Sequence, residues 1–284
     1  MILSDGAPRI SIAIPLYCSD RFVDCTIANV RAIPGDSVEI IISDRHMADD
    51  AVPRLRQALI HDTRVRFVTG HDGPDWVTHF NDLLKQARGT YFMWMPHDDE
   101  YPAEYLPLLM EQLTRNPTAI LAFGRIAPIG HDGTPRQDLR FPDPPIEPGE
   151  PWSSDVVARL LERWELGVPF RGLMRRDKIL ESNLFIRSTR NNYYADGLWV
   201  MAVALHGRLV YDPSCHVRKR FYAGSAHARW PKGIPQALSL LLTLWHYTGA
   251  AGLGLTSRCR LASSLTRLLG RKVIAAMRRR TAAP

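Results

Sequence analysis

Over roughly the first 130 residues, short apolar runs closed by Pro, Asp or Gly alternate with stretches of helical periodicity. Residues 10–14, 38–42, 65–68 and 91–95 are brief, rich in β-branched or aromatic side chains, and predict buried strands. Between them Trp76, Phe80, Leu83, Leu84 and Ala87, and then Leu106, Leu109, Met110 and Leu113, recur on one face of a 3.6-residue helix. Strand, helix, strand, helix in this order predicts a mostly parallel sheet flanked by helices, an α/β fold of Rossmann-like character. Such sheets bind ligands beyond the carboxyl ends of their strands. That rule directs attention to Pro15-Leu16-Tyr17, Ser43-Asp44, Gly70-His71-Asp72 and Pro96-His97-Asp98-Asp99-Glu100.

Residues 120–124 predict a further strand, His131-Asp132-Gly133-Thr134 a turn, and the proline-rich residues 142–151 a connector. Leu198, Met201, Ala202 and Leu205 return to helical spacing, and residues 209–211 predict a short strand. From about residue 230 the character changes. Residues 233–257 carry no charge but are diluted by glycines, Pro235, Gln236 and His246, which makes them marginal for a membrane span of about 20 apolar residues. In the final segment Arg260, Arg267, Arg271 and Arg278 fall within roughly a 40° arc of a helix, and Leu261, Leu265, Leu268 and Leu269 take another side.

Charge reinforces that division. None of the 29 carboxylates lies beyond Asp212, whereas 13 of the 36 Lys and Arg do, so residues 1–212 are net negative under a net charge of +7. A basic amphipathic tail predicts an anionic membrane surface as its partner. The arginines from Arg258 to Arg280 have aliphatic rather than aromatic neighbours, which argues against single-stranded nucleic acid. The four cysteines are scattered, with no zinc-ligand spacing, and predict reduced cytosolic thiols. Residues 1–9 predict no export leader, so the expected place of work is the cytoplasm, peripheral to the inner face of the cell membrane.

The adjacent carboxylates Asp98 and Asp99 at a strand end would repel each other in a crevice, and a divalent cation such as Mg²⁺ or Mn²⁺, shared with substrate phosphates, relieves the conflict. No glycine-rich dinucleotide or P-loop fingerprint occurs anywhere. Taken alone, Asp-Asp also fits a solvated acidic loop, Asp196 a helix cap, and Arg220 a solvated basic strand with Arg218 and Lys219. His97 reads as an exposed loop histidine.

Four pieces in order, Ile14-Pro15-Leu16-Tyr17, Ile41-Ile42-Ser43-Asp44, the helix bearing Asn81 with Ala87-Arg88-Gly89-Thr90-Tyr91, and residues 95–102, resemble the donor domain of family 2 glycosyltransferases, which have the GT-A fold. A weaker match runs through Ala195-Asp196-Gly197-Leu198-Trp199 and residues 207–210 to Arg220 and Gly224-Ser225, and the whole covers about four fifths of the chain. The resemblance implies a donor-binding half at residues 1–128, an acceptor-side half at 129–229 and a helical extension at 230–284.

It further implies a metal-dependent, inverting transfer of sugar from a nucleoside diphosphate, UDP first and GDP or dTDP as alternatives, to a hydroxyl of a glycan or lipid-linked acceptor, as in cell-surface polysaccharide synthesis. Pro15 and Tyr17 would line the base pocket, Asp44 would accept a hydrogen bond from the base, and Asn81 would belong to the nucleotide site. Asp98 would meet the ribose or the metal, Asp99 would ligate Mn²⁺ or Mg²⁺, Asp196 would be the catalytic base, and Arg220 would lie at the diphosphate. The chain departs from the family in having Pro96 and Arg45 where acids are common and Tyr222 where His is frequent. Two other readings remain. A nucleotidyltransferase would need a glycine-rich basic loop, which residues 15–20 lack, and a non-catalytic module would dock through the basic tail.

Overall fold

A computed structural model describes residues 9–44, 50–69, 76–147, 150–164, 166–222 and 233–281. Arg45, residues 70–72 and Gly224-Ser225 lie outside them, as do the side chains of Asp44 and Arg278. The strands are β1 (Ile10–Pro15), β2 (Val38–Asp44), β3 (Val65–Thr69), β4 (Tyr91–Trp94), β5 (Ala119–Ile129), β6 (Leu173–Arg175) and β7 (Arg208–Arg220). The helices are α1 (Val23–Ala32), α2 (Ala51–Ala58), α3 (Trp76–Gln86), α4 (Tyr105–Arg115), α5 (Ser154–Arg163), α6 (Arg176–Glu181), α7 (Ala195–His206), α8 (Ile234–Ala250) and α9 (Leu255–Thr281).

All seven strands form one sheet in the order β3-β2-β1-β4-β6-β5-β7. It is parallel except at β6, which lies antiparallel between β4 and β5. The expected α/β architecture is therefore present, with a mixed strand order that periodicity does not disclose. β6 has only three residues, too few for a pattern. β5 and β7 run much further than the expected short strands, paired in parallel with register shifts near Leu121 and Arg125. At Gly124 a Cβ would meet the Cys215 carbonyl at 2.6 Å, so the glycine permits the close approach at that irregularity. The expected boundary after residue 128 falls inside β5, and both halves share the sheet.

Ile12, Ile14, Ile40, Ile41 and Ile42 are buried on the parallel side of the core. Gly89 is held where a Cβ would meet the Ser11 backbone nitrogen at 2.6 Å, and its own N–H donates to Ser11 Oγ (2.7 Å). This contact explains the glycine of the Ala87–Tyr91 motif: it lets α3 hand the chain to β4 directly over β1. Beneath the crevice Trp94 stacks on Phe170 with centroids 4.9 Å apart and meets Trp199 edge-on at 5.0 Å, which fixes α7 against β4.

The tail is part of this body. Leu261, Leu265 and Leu268 of α9 are buried, Arg260 pairs with Asp155, and Arg267 pairs with Glu162 (2.8 Å), both on α5. The apolar face expected to meet a bilayer is thus spent on α5, because an aliphatic stripe finds a closer partner in the amphipathic helix beside it. Among the described residues no helix is long and apolar enough to cross a membrane.

Candidate active site

Pro15 and Asp44 end β1 and β2, and residues 95–99 follow β4, so one edge of the parallel sheet carries three of the expected pieces. The acidic loop is clamped from below. The Asn29 side chain of α1 donates to the Asp99 carbonyl (2.8 Å) and accepts from the Tyr101 N–H (3.0 Å), while Thr26 donates to the His97 carbonyl (3.3 Å). From the other side Glu100 and Arg218 exchange two backbone hydrogen bonds of 2.9 Å, and their side chains pair. A short loop bearing two carboxylates is in this way held between α1 and the end of β7.

Within the loop the two aspartates differ. Asp99 is fully buried: Oδ2 accepts from Arg171 Nε (2.5 Å) and Oδ1 from the Arg220 N–H (2.8 Å). Each oxygen thus accepts one hydrogen bond from a protein donor, so that of the two carboxylates expected at the metal Asp99 is the more enclosed and Asp98 the more accessible. Asp98 is half-buried, with one oxygen accepting from the Tyr222 hydroxyl (3.2 Å). Burial alone would raise its pKa, but the charges of His97, Lys219 and Arg171, with the Tyr222 bond, outweigh it and hold the carboxyl below the usual range.

Arg220 lies against the same loop. Its Nε donates to the Asp98 carbonyl (2.9 Å), NH1 to the carbonyls of Gly130 (3.0 Å) and His131 (2.9 Å), and NH2 to Glu100 (2.5 Å). With all three guanidinium nitrogens engaged by the protein, it braces the loop. Asn81 likewise spends both ends of its amide on the backbone of Ile186, at 2.8 and 2.9 Å, and ties α3 to the segment after α6. It holds the scaffold of the crevice.

A second cation lies beside Arg220. Lys219 is buried, its ammonium lies 5.0 Å from the centre of the Phe221 ring, and it interacts electrostatically with Asp98, Asp99 and Asp196 alike. Burial, reinforced by Arg171, lowers its pKa against the pull of those carboxylates. Taken as part of a solvated basic strand, Lys219 was the residue that sequence reasoning missed. The signal was the two-residue period of β7: Cys215, Val217 and Lys219 share one face, and the first two are core residues.

Asp196 sits in the first turn of α7, buried, with Oδ1 lacking a hydrogen-bond partner among the described residues. Burial raises its pKa, more than the Gly197 N–H and the charges of Arg171, Lys219 and Lys272 lower it. Tyr194, just before it, adopts a left-handed φ of 55°, a conformation costly for a residue with a side chain. Gly197 is required there, since a Cβ would strike the Tyr194 ring at 2.5 Å.

Pro15 is buried and its carbonyl takes a hydrogen bond from His97 Nδ1 (3.0 Å), which fixes the tautomer and leaves His97 Nε2 buried and unpartnered. His97 is therefore not the exposed loop residue expected. Tyr17 is half-exposed at the mouth of the crevice. Among the described residues no three His, Cys, Asp or Glu side chains cluster into a protein-only metal site. An octahedral cation that draws most ligands from phosphate and water needs only one or two carboxylates, a demand that Asp98 fits.

The carboxyl end of the parallel strands thus brings together the more accessible Asp98, the buried ammonium of Lys219 and the desolvated carboxylate of Asp196. The sequence profile described as "Glycosyl transferase family 2" matches residues 11–183, more than half of the chain, and the chain belongs to that family. A curated protein of Sinorhizobium fredii (strain NBRC 101917 / NGR234), "Uncharacterized protein y4gI", is 29% identical over 173 residues. That match covers 60% of this chain, which spans only 18% of the relative's length.

In fold the chain is similar to Staphylococcus aureus TarS residues 1–349 in complex with UDP-GlcNAc, with a TM-score of 0.71 at 12% identity over 91% of this chain and 71% of that one. It is also similar to the mannosyltransferase PcManGT of Pyrobaculum calidifontis in complex with GDP-Man and Mn²⁺, with a TM-score of 0.58 at 14% identity, covering 98% of this chain and 76% of that one. The GT-A architecture is shared at identities too low to carry a residue's role across.

Proposed function

We propose that this glycosyltransferase moves a sugar from a nucleoside diphosphate donor to a hydroxyl of a glycan or lipid-linked acceptor, with inversion at the anomeric carbon, and that it works at the cytoplasmic face of a membrane. The observation that carries this reading is Lys219, a buried ammonium against the Phe221 ring and within the field of Asp98, Asp99 and Asp196. A cation placed there attracts a diphosphate; a carboxylate kept dry on the same site awaits a proton.

In this reading the β1 and β2 ends, with Pro15, Tyr17 and Asp44, hold the nucleoside, as the resemblance implies. Asp98 holds the divalent cation, Mn²⁺ or Mg²⁺, which when bound supplies Lewis-acid stabilisation of the departing diphosphate, a contribution of several kcal/mol. Lys219 faces the same developing charge, and removing one such preorganised donor costs roughly 10²–10³ in kcat in comparable sites. Asp99, Arg171 and Arg220 form the brace that aims Asp98.

Asp196 takes the proton of the acceptor hydroxyl as its oxygen bonds to the anomeric carbon, while the bond from that carbon to the phosphate oxygen breaks and its electron pair leaves with the diphosphate. General-base assistance of this kind contributes roughly 10²–10⁴-fold. Burial suits the role, since a desolvated carboxylate binds a proton more strongly than a hydrated one.

A thermal-shift screen of UDP-, GDP- and dTDP-sugars with and without Mn²⁺, followed by product analysis with the best donor, tests the reading. It expects stabilisation by one nucleotide class in the presence of the cation and a product of opposite anomeric configuration. Retained configuration would remove the single-displacement mechanism.

A further inference from the structure

The apolar face of α9 is used internally, but α8 leaves one uncovered. Ile234, Leu238, Leu242 and Trp245 are 77, 57, 73 and 41% exposed, and on a helix they fall within an arc of about 80°. The opposite side of α8, with Leu240, Leu244 and Tyr247, is buried against the body. Leu255, 67% exposed in the first turn of α9, adds a fifth large apolar side chain nearby in sequence.

The segment of chain that carries this stripe has exposed charges of one sign. From residue 182 to the end of the chain the only carboxylates are Asp196 and Asp212, and both are buried. Exposed Arg187 and Arg190 are fastened to α8 through their backbone N–H groups, which donate to the Tyr247 hydroxyl (2.9 Å) and to Ser239 Oγ (2.8 Å). Beside the stripe the Arg258 guanidinium lies 3.8 Å from the centre of the Trp245 ring.

We infer that the α8 stripe, with Arg258 at its rim and the exposed Arg187 and Arg190 on the segment fastened to α8, seats the protein on an anionic phospholipid bilayer. An apolar helix face sinks to the acyl boundary, Trp prefers the headgroup level, and arginines pair with lipid phosphates. A protein partner that used the same face would gain from carboxylates to answer its own cations, and this surface offers none. The inference stands apart from the donor chemistry, because it uses no residue of the crevice.

Flotation of the full chain with vesicles of phosphatidylcholine alone, or with about one third phosphatidylserine, tests it, beside gel filtration for oligomeric state. The wild type should float with the anionic vesicles and not the neutral ones. The triple variant L238S/L242S/W245S should bind at least about tenfold more weakly, and R187S/R190S about fivefold more weakly per charge removed.

These side chains are exposed, so the melting temperature should hold within about 2 °C and the nucleotide-sugar thermal shift should persist. Equal flotation of the triple variant, or no flotation of the wild type, would overturn the inference. So would a wild-type dimer that the triple substitution converts to monomer.

Discussion

Two adjacent aspartates that the sequence presents as a pair are given separate tasks by their neighbours. Asp99 forms a buried ion pair with Arg171, and Asp99→Ala would leave that guanidinium without its anion; such losses cost about 3–5 kcal/mol, so chemical denaturation should show a large drop in stability. Asp98→Asn should leave the melting temperature near wild type and abolish cation-dependent donor binding in calorimetry. Lys219→Met should lower kcat by roughly 10²–10³ with the fold intact, as a preorganised donor predicts.

At Asp196 the raised pKa sets a sign. The proposed base works deprotonated, so kcat/KM should fall as the pH drops through a pKa above the ordinary aspartate value of about 3.9. The same shift makes wild-type stability decline as pH rises from the unfolded to the folded pKa, since the folded state keeps a proton that the unfolded chain has released. Asp196→Asn should lose transfer, keep donor binding, and gain stability relative to wild type at pH 8 more than at pH 4. Melting curves at the two pH values check it.

Elements explain what could be read in advance. The strands near residues 10, 38, 65 and 91 and the helices near 76 and 106 were legible because each repeats its pattern for a full strand or several turns. β6 is not, being too short, and α5, which buries Val157, Leu160 and Leu161, follows a proline-rich connector that hides its start. The same limit applies to the site. Sequence order draws attention to Asp98, Asp196, Arg220 and Asn81 but does not disclose the hydrogen bonds that Arg220 and Asn81 make, which depend on what folding sets opposite them. Asn81→Ala would orphan the Ile186 N–H and carbonyl, each unmet buried group costing about 1–3 kcal/mol, and should weaken the packing of α3 on residues 183–186. Faster amide exchange at Ile186 is the expected readout.

At the scale of the molecule, the basic extension turns out to be a structural layer: α9 covers α5, and α8 packs on α7. Leu265→Ala, at a fully buried position, should cost about 2–5 kcal/mol, far more than loss of the exposed Arg260–Asp155 pair. One sheet carries the donor edge at β1, β2 and β4 and, across β6, the strand β7 that delivers Lys219 to the acidic loop. The most direct test of that arrangement is calorimetric titration of the best nucleotide sugar, with Mn²⁺ present, into wild type and Asp98→Asn. Saturable binding by the wild type and none by the variant is the expected result. Equal binding by both, or no binding of any sugar nucleotide to the wild type at any cation concentration, would contradict the account.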